Sequence, residues 1–150
     1  MAMAQKLDLA PIRVEDAALA GLLHDVGMRE LDYDQMYRSR TPSEDDRARY
    51  KKHPLLGERI LKGTGLDEVT AAIRHHHERW DGTGYPDRLA GEDIPFLARL
   101  VHVAEVFDVL SAPGRYRPTV PTERALEIIN RGKGHQFDPQ MVDALVMVVT

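Results

Sequence analysis

Histidines and carboxylates are grouped along this chain in a way that could bind metal ions. Three consecutive histidines run into a Gly- and Pro-rich turn, and a His-Asp pair and a further histidine lie upstream: His75, His76, His77, residues 82–86, His24, Asp25 and His53. Imidazole and carboxylate together suit iron, manganese, zinc or cobalt. The chain has no cysteine, so a metal ion must be bound by His, Asp and Glu. We therefore predict a multi-histidine metal site, a kind of site that commonly catalyses hydrolysis.

Two carboxylates interrupt an otherwise apolar stretch. Glu105 and Asp108 lie three residues apart, which places them on one face of a helix. Burying a carboxylate without a partner is costly, and a metal cluster would supply that partner. Two other histidines, His102 and His135, are interpreted as ordinary core or surface residues.

The overall composition limits the class of protein. A length of 150 residues fits one domain. The net charge of −4 argues against nucleic-acid binding through a broad basic surface, but a small phosphorylated substrate could still be bound by metal ions and local arginines. Apolar runs are far shorter than the ~18 residues of a membrane span, and no signal-peptide pattern is present. The absence of cysteine fits a reducing cytosol, so we expect a cytoplasmic protein.

Apolar residues recur at helical spacing along most of the chain. The predicted helices cover about residues 14–24, 42–53, 54–63, 66–77, 96–111, 122–132 and 139 to at least 146. Residues 30–40 are predicted to form a polar loop, Thr122 and Asp138 to cap helices, and residues 96–111 to form the buried central helix. Only residues 146–149 alternate in the manner of a strand. The predicted fold class is all-α.

The ordered motifs resemble the HD-GYP family, a branch of the metal-dependent HD phosphohydrolases. The resemblance rests on segments that cover nearly the whole chain from Leu22 onward: residues 24–27 (HDVG), 53–57 (HPLLG), 76–86 (HHERWDGTGYP), 91–95 (GEDIP), 104–110 (AEVFDVL), 116–118 (YRP) and 134–139 (GHQFDP). It implies a helical bundle that holds two or three divalent metal ions and hydrolyses the bacterial second messenger cyclic di-GMP to pGpG and in some cases to GMP. Iron or manganese is expected first, with zinc, nickel, cobalt and magnesium as alternatives.

The resemblance also assigns roles to residues. It implies metal ligation by His24, Asp25, His53, His76, His77 and Glu105, with Asp108 as a substitute or supporting ligand. It implies that Asp25 bridges two ions near the metal-bound water that attacks the phosphate. Substrate contacts are implied for Gly84, Tyr85, Pro86, Arg115 and Arg117.

The chain departs from the family pattern at positions that matter for chemistry. The usual Lys after the His-Asp motif is Met28, and the usual Asp of the later motif is Glu105. In the loop that usually carries an Arg-Pro pair, Gly114 stands at the Arg position and Arg115 follows it. These differences concern metal geometry and phosphate binding, whereas the framework residues are kept.

The N-terminal segment departs as well. Family members usually have an earlier helix that supplies another His ligand, and residues 1–10 contain no His or Glu. We expect one HD-GYP-like domain over residues 1–150 that lacks this first helix, as a C-terminal fragment of a longer signalling protein. The alternative is that the protein itself has lost the ligand. We also expect low metal occupancy, and homodimerisation through the apolar face that such a helix would cover.

Three functions remain open from the sequence. The first is a cyclic di-GMP phosphodiesterase of bacterial second-messenger signalling. The second is a catalytically weak or inactive relative that acts as a sensor or interaction module, with a GGDEF-type domain as a candidate partner. The third is a phosphohydrolase for another nucleotide, which the specific Gly-Tyr-Pro block disfavours.

Overall fold

Helices account for the regular structure of the chain. The computed structural model describes residues 1–32, 43–112 and 119–150. Within these ranges it contains eight α-helices and no β-strand: α1 (Ala2–Lys6), α2 (Pro11–Leu23), α3 (Glu44–Tyr50), α4 (His53–Leu61), α5 (Asp67–His75), α6 (Phe96–Ser111), α7 (Thr122–Arg131) and α8 (Pro139–Val149). The predicted all-α class is confirmed.

Helix α6 lies at the centre of the molecule. It contacts α2, α5, α7 and α8, and its bounds are those predicted from the apolar pattern. The core around it is made of aliphatic side chains that are almost fully buried, among them Val69, Ile73, Leu97, Val103, Ile129, Met141 and Val142. Apolar residues at helical spacing therefore converge on one buried helix, which carries Glu105.

Capping explains where several helices begin. The Ser43 hydroxyl accepts a hydrogen bond from the Asp46 amide and the Asp46 carboxylate accepts one from the Ser43 amide, which together form a capping box for α3. The Asp138 carboxylate caps α8 through the Gln140 amide at 2.7 Å, as predicted. The prediction for Thr122 was wrong: this residue is the first of α7, and Pro121 precedes it without a side-chain cap.

The suggestion of a strand at residues 146–149 was also wrong. These residues belong to α8, whose buried side chains Met141, Val142 and Leu145 follow helical spacing. That spacing extends over the whole segment, whereas the alternation covers four residues only. Of the polar segment 30–40, the structure describes residues 30–32, and the rest lies outside the described residues.

A short 3₁₀ helix, Val26–Glu30, follows α2 and packs closely on α4. A Cβ atom on Gly27 would lie 2.0 Å from the His53 carbonyl oxygen and 2.5 Å from the Gly57 amide nitrogen. Only a residue without a side chain fits this contact. The two glycines therefore let α4 approach the end of α2, and this approach brings Asp25 beside His53.

Among the described residues, no helix is long and apolar enough to cross a membrane.

Candidate metal centre

One aspartate and three histidines from separate parts of the sequence meet at a single point. Asp25, His53, His76 and His77 each place a potential ligand atom within 4.8 Å of the others. The Asp25 Oδ1 atom lies 3.1 Å from His53 Nε2 and 3.9 Å from His76 Nε2. The two imidazole Nε2 atoms of His53 and His76 are 3.1 Å apart. Both rings are fully buried, while the Asp25 side chain is partly exposed.

Hydrogen bonds to the backbone fix which nitrogen of each ring carries a proton. The Nδ1 atoms of His24, His53 and His76 lie 2.7–2.8 Å from backbone carbonyl oxygens three residues earlier in the chain. A carbonyl oxygen can only accept, so each Nδ1 must donate. In a neutral ring the lone pair is then on Nε2. The three histidines thus present the nitrogen that a metal ion needs, in the way that outer hydrogen bonds orient metal-binding imidazoles.

The lone pairs face one another at close range. The Nε2 atoms of His53 and His76 lie 3.1 Å apart and near the Asp25 carboxylate, so lone pairs on both atoms would face each other. Burial is the main cause that lowers the pKa of His76 to about 3, and the neighbouring His53 and His24 contribute to the same shift. The His76 ring is therefore neutral near pH 7. Such an arrangement of electron pairs is unfavourable unless a cation lies among them, so the donor set fits a divalent metal ion.

His77 completes this group and faces the turn that follows it. Burial lowers its pKa to about 2, with His76 and His53 adding to the effect. Its Nε2 atom is buried and has no hydrogen-bond partner among the described residues. The Tyr85 ring stacks on the imidazole at 4.9 Å between centroids and 25° between planes. Burial raises the pKa of the Tyr85 phenol above its usual range, so it remains a hydrogen-bond donor.

The loop that presents Tyr85 is held by a buried glutamate. The Glu78 side chain accepts hydrogen bonds from the Asp87 and Arg88 amides at 2.7 and 3.0 Å. A Cβ atom on Gly84 would lie 2.4 Å from the Arg79 amide nitrogen, so this position requires glycine. The Tyr85–Pro86 peptide bond is cis. The residues of the motif therefore hold Tyr85 and Pro86 in place beside His77, although direct substrate contact at Gly84, Tyr85 and Pro86 stays a prediction.

Charged side chains brace the same loop from outside. The Arg74 guanidinium donates to both Asp87 carboxylate oxygens at 2.7 and 2.9 Å and to Glu58 on α4. His75 Nε2 lies 2.8 Å from the Asp87 carboxylate. These contacts hold the pKa of Asp87 at about 2, mainly through the Arg74 hydrogen bonds. The first histidine of the triplet therefore supports the loop, while the other two face the cluster.

Glu105 and Asp108 line a cleft on the other side of the cluster. This cleft has a volume of about 450 Å³, and His24 and Asp25 also line it. Burial raises the pKa of Glu105 to about 7; Asp25 adds to this, and His24 and His53 oppose it. Asp108 is exposed and belongs to no group of potential metal ligands among the described residues. His24 lies at the edge of the cluster formed by Asp25, His53, His76 and His77, and its Nε2 atom is 3.5 Å from Asp25 Oδ2.

Sequence reasoning missed the part played by three other residues. His102 is buried and donates from Nδ1 to the His76 carbonyl oxygen at 2.8 Å; its position one helical turn before Glu105 was the available signal. The Tyr50 ring contacts His53 and His77 at 4.7 and 5.9 Å. The Lys51 ammonium lies 5.4 Å from the centre of the Tyr85 ring.

Arg115 and Arg117, the two predicted phosphate contacts, lie together with Gly114 outside the described residues.

Comparisons with known proteins identify the family of this chain. A family model described as "HD domain" matches residues 1–141. The response regulator RpfG of Xanthomonas campestris pv. campestris, named a cyclic di-GMP phosphodiesterase, is 37% identical over 96% of this chain and 39% of its own length. A 3′3′-cGAMP-specific phosphodiesterase 2 of Vibrio cholerae is 35% identical over 85% of this chain and 25% of its own length.

A solved structure supports the fold as well. The crystal structure of a cyclic GMP-AMP specific phosphodiesterase of V. cholerae (V-cGAP3) superposes with a TM-score of 0.75 at 22% identity, covering 99% of this chain and 41% of that one.

The chain belongs to the HD domain family. Its relatives named cyclic di-GMP phosphodiesterases agree with the HD-GYP resemblance carried by its motifs. The family is metal-dependent, and the cluster of His and Asp side chains has the donor atoms for a metal ion. The chain spans well under half the length of these relatives.

Proposed function

We propose that this chain is a metal-dependent phosphodiesterase domain that hydrolyses cyclic di-GMP. The observation that carries the proposal is the buried cluster of Asp25, His53, His76 and His77, whose lone pairs converge beside the stacked Tyr85 ring. Relatives of this chain with the name cyclic di-GMP phosphodiesterase support the choice of substrate.

The residues of the cluster are suited to binding a metal ion. Asp25, His53 and His76 would hold a divalent ion, and iron or manganese suits this mixture of nitrogen and carboxylate donors. When bound, such ions lower the pKa of a water molecule and offset negative charge on phosphoryl oxygens. Because one carboxylate does not neutralise a divalent ion, the metal-loaded site would carry a net positive charge that would attract a phosphodiester.

Two further side chains are placed to orient the nucleotide. The Tyr85 phenol keeps its proton, since burial raises its pKa, and it can donate to a phosphate or base oxygen. The Lys51 ammonium lies beside that ring and can offset phosphate charge, while Met28 stands at the sequence position of the family's usual Lys. Arg115 and Arg117 stay predicted phosphate contacts. The GGDEF-type partner, the homodimer and the longer signalling protein also stay predictions.

The direct test is turnover by the metal-loaded chain. Protein reconstituted with Fe²⁺ under anaerobic conditions, or with Mn²⁺, is incubated with cyclic di-GMP, and pGpG and GMP are separated by chromatography. We expect pGpG from the wild type and none above background from Asp25→Asn. A metal-loaded wild type that forms no product would refute the activity. If such a protein still binds cyclic di-GMP, the non-catalytic sensor or interaction module is favoured.

A second candidate substrate is 3′3′-cGAMP. A relative specific for that nucleotide is 35% identical to this chain, so the same assay should include 3′3′-cGAMP at equal concentration. We expect a higher kcat/KM for cyclic di-GMP. A clear preference for 3′3′-cGAMP would change the substrate and leave the metal-dependent mechanism in place.

A further inference from the structure

The loop that presents Tyr85 is closed and anchored at its base. The Gly91 amide donates to the Trp80 carbonyl oxygen at 2.9 Å, so residues 80–91 form one closed loop, which we call the Tyr85 loop. Two backbone amides at its start, those of Trp80 and Asp81, donate to carbonyl oxygens in the segment between α7 and α8 at 3.1 and 2.8 Å. The position of the Tyr85 loop therefore depends on Trp80 and on that segment.

A buried cation lies against the base of this loop. The guanidinium of Arg99, in the first turn of α6, lies 5.7 Å from the centre of the Trp80 ring and 5.4 Å from that of the Phe96 ring. It donates to the Asp138 carboxylate at 2.6 Å. Only 13% of the Arg99 side chain and 3% of the Asp138 side chain are exposed. One side chain therefore joins the first turn of α6, the Tyr85 loop and the start of α8.

A second contact fixes the carboxylate that receives Arg99. The Oδ1 atom of Asp138 accepts a hydrogen bond from the Gln140 amide at 2.7 Å and so caps α8, while its Oδ2 atom accepts from Arg99. Both oxygens are in use, so the carboxylate cannot rotate without losing the cap or the ion pair. The Arg99 guanidinium is therefore held toward Trp80 by a group that is itself fixed at a helix end.

Stability alone is a poor explanation for this buried pair. The Arg99 Nε atom is buried and has no hydrogen-bond partner among the described residues. Taking two charges out of water offsets much of the attraction between them, and the contact of the cation with the aromatic rings recovers only part of that loss. A guanidinium differs from an apolar side chain in having donors in a rigid, planar arrangement. The pair is therefore better explained by the geometry that it imposes.

We propose that Arg99 is a positioning residue: paired with Asp138 and packed against Trp80, it fixes the start of the Tyr85 loop and thereby the Tyr85 ring that stacks on His77. The end of the same loop is held separately, because the Glu78 side chain accepts the amides of residues 87–88. The effect of Arg99 on turnover rests on the proposed phosphodiesterase function, whereas its effect on the loop does not. The competing explanation is that the ion pair contributes only to overall stability.

A double variant separates the two roles. Arg99→Met alone would leave the Asp138 carboxylate buried and unpaired, which is strongly destabilising. Arg99→Met with Asp138→Asn removes both charges, and asparagine still caps a helix well. Leu145→Ala is the control for lost stability, since Leu145 is a buried residue of α8. Arg124→Met is the matched control for a lost arginine, since Arg124 pairs with Glu127 on the surface of α7. Urea unfolding ranks all the variants by stability.

Two measurements report on the loop without any turnover. Trp80 is the single tryptophan of the chain, so its emission and its quenching by acrylamide report how closely the start of the loop is packed. Arg88 is exposed in the same loop, so tryptic cleavage after Arg88, followed by mass spectrometry and compared with cleavage elsewhere in the chain, reports how often the loop opens. We expect the double variant to emit at longer wavelength, to be quenched more strongly and to be cleaved after Arg88 several-fold faster. Both controls should match the wild type in all three.

Turnover by the metal-loaded protein provides the functional measurement. In the double variant, kcat/KM for cyclic di-GMP should fall by about 10–100-fold, because a displacement on the order of 1 Å can cost about 100-fold. Most of the change should be in KM, since Tyr85 is placed to orient the nucleotide. Leu145→Ala and Arg124→Met should keep the wild-type constants. Arg99→Lys keeps the charge but not the planar guanidinium, so its loop and its kinetics should lie between those of the wild type and the double variant.

Several results would overturn this inference. Wild-type emission, quenching and cleavage in the double variant would show that the pair does not hold the loop, and equal changes in Leu145→Ala would show a role in stability alone. Wild-type kinetics in a variant whose loop is released would remove the link to turnover. If the double variant does not fold, Arg99→Lys is judged by the same measurements. A wild type without turnover, combined with the expected changes in the loop, would remove the proposed function and leave the positioning of the loop by Arg99 standing.

Discussion

The buried carboxylate of Glu105 should make the metal-free protein less stable as the pH rises. Burial raises its pKa from 4.5 to about 7, and its Oε2 atom has no partner among the described residues. Between these two values the folded chain binds a proton that the unfolded chain does not. The contribution of Glu105 to stability is therefore fully present below about pH 4.5 and is lost as the pH rises through about 7.

The size of this effect follows from the displacement of the pKa. At about 1.4 kcal/mol for each pKa unit, the displacement corresponds to about 3 kcal/mol between pH 4.5 and pH 8. Glutamine has nearly the same shape and does not ionise. Glu105→Gln should therefore change the stability little at pH 5 and raise the free energy of unfolding by about 2–3 kcal/mol at pH 8. For a chain of this length, that difference raises Tm by about 5–10 °C.

The assay is urea or thermal unfolding of protein stripped of metal, at pH 5, 6, 7 and 8. Glu123→Gln is the control, because Glu123 is an exposed residue of α7. The pH dependence of the difference between variant and wild type isolates Glu105 from all other titrating groups. Curves for Glu105→Gln and wild type that stay parallel from pH 5 to pH 8 would refute the reasoning. Added Zn²⁺ should stabilise the wild type more at pH 8 than at pH 5, because it pairs with the ionised carboxylate.

Three further predictions concern the substrate face, the loop and the core. Lys51→Met should raise the KM for cyclic di-GMP several-fold with a smaller change in kcat, while Lys52→Met should not; equal kinetics for both variants would contradict a phosphate contact. Gly84→Ala should cost about 1–3 kcal/mol in urea unfolding, because its Cβ would lie 2.4 Å from the Arg79 amide nitrogen; an unchanged midpoint would count against this. Ile73→Ala, at a fully buried position, should cost about 2–5 kcal/mol, and a loss below 1 kcal/mol would mean that the core collapses around the gap.

The sequence predicts the helices well where the apolar pattern is long. Helix α6 has the predicted bounds because Pro95 precedes sixteen residues whose apolar side chains cover most of its faces. The prediction fails at Thr122, where a residue type that often caps a helix lies inside the first turn. Residue preferences predict the end of a helix to within one or two residues. The exact boundary depends on the conformation of the residues next to it.

Part of the candidate site was also predicted from the sequence, but from its motifs and not from the apolar pattern. The motifs select Asp25, His53, His76 and His77, and the structure brings these four together. They do not include His102, for which the only sequence signal is its position one helical turn before Glu105. Its contact with the His76 carbonyl oxygen depends on how α6 packs against the end of α5.

The spacing of the histidine motifs has a common physical origin at the ends of helices. The last four carbonyl groups of a helix lack partners within it. Gly21, Tyr50 and Ile73 are such residues in α2, α3 and α5. Their carbonyl oxygens accept the Nδ1 hydrogen bonds of the histidines three positions later.

One hydrogen bond therefore has two consequences at each of these helix ends. It satisfies an open carbonyl group, and it fixes the proton on Nδ1 so that Nε2 turns its lone pair toward the cluster. Histidines that follow a helix by one to three residues are suited to both roles at once. The His102 hydrogen bond repeats this arrangement between α6 and the end of α5, with the His76 carbonyl oxygen as acceptor.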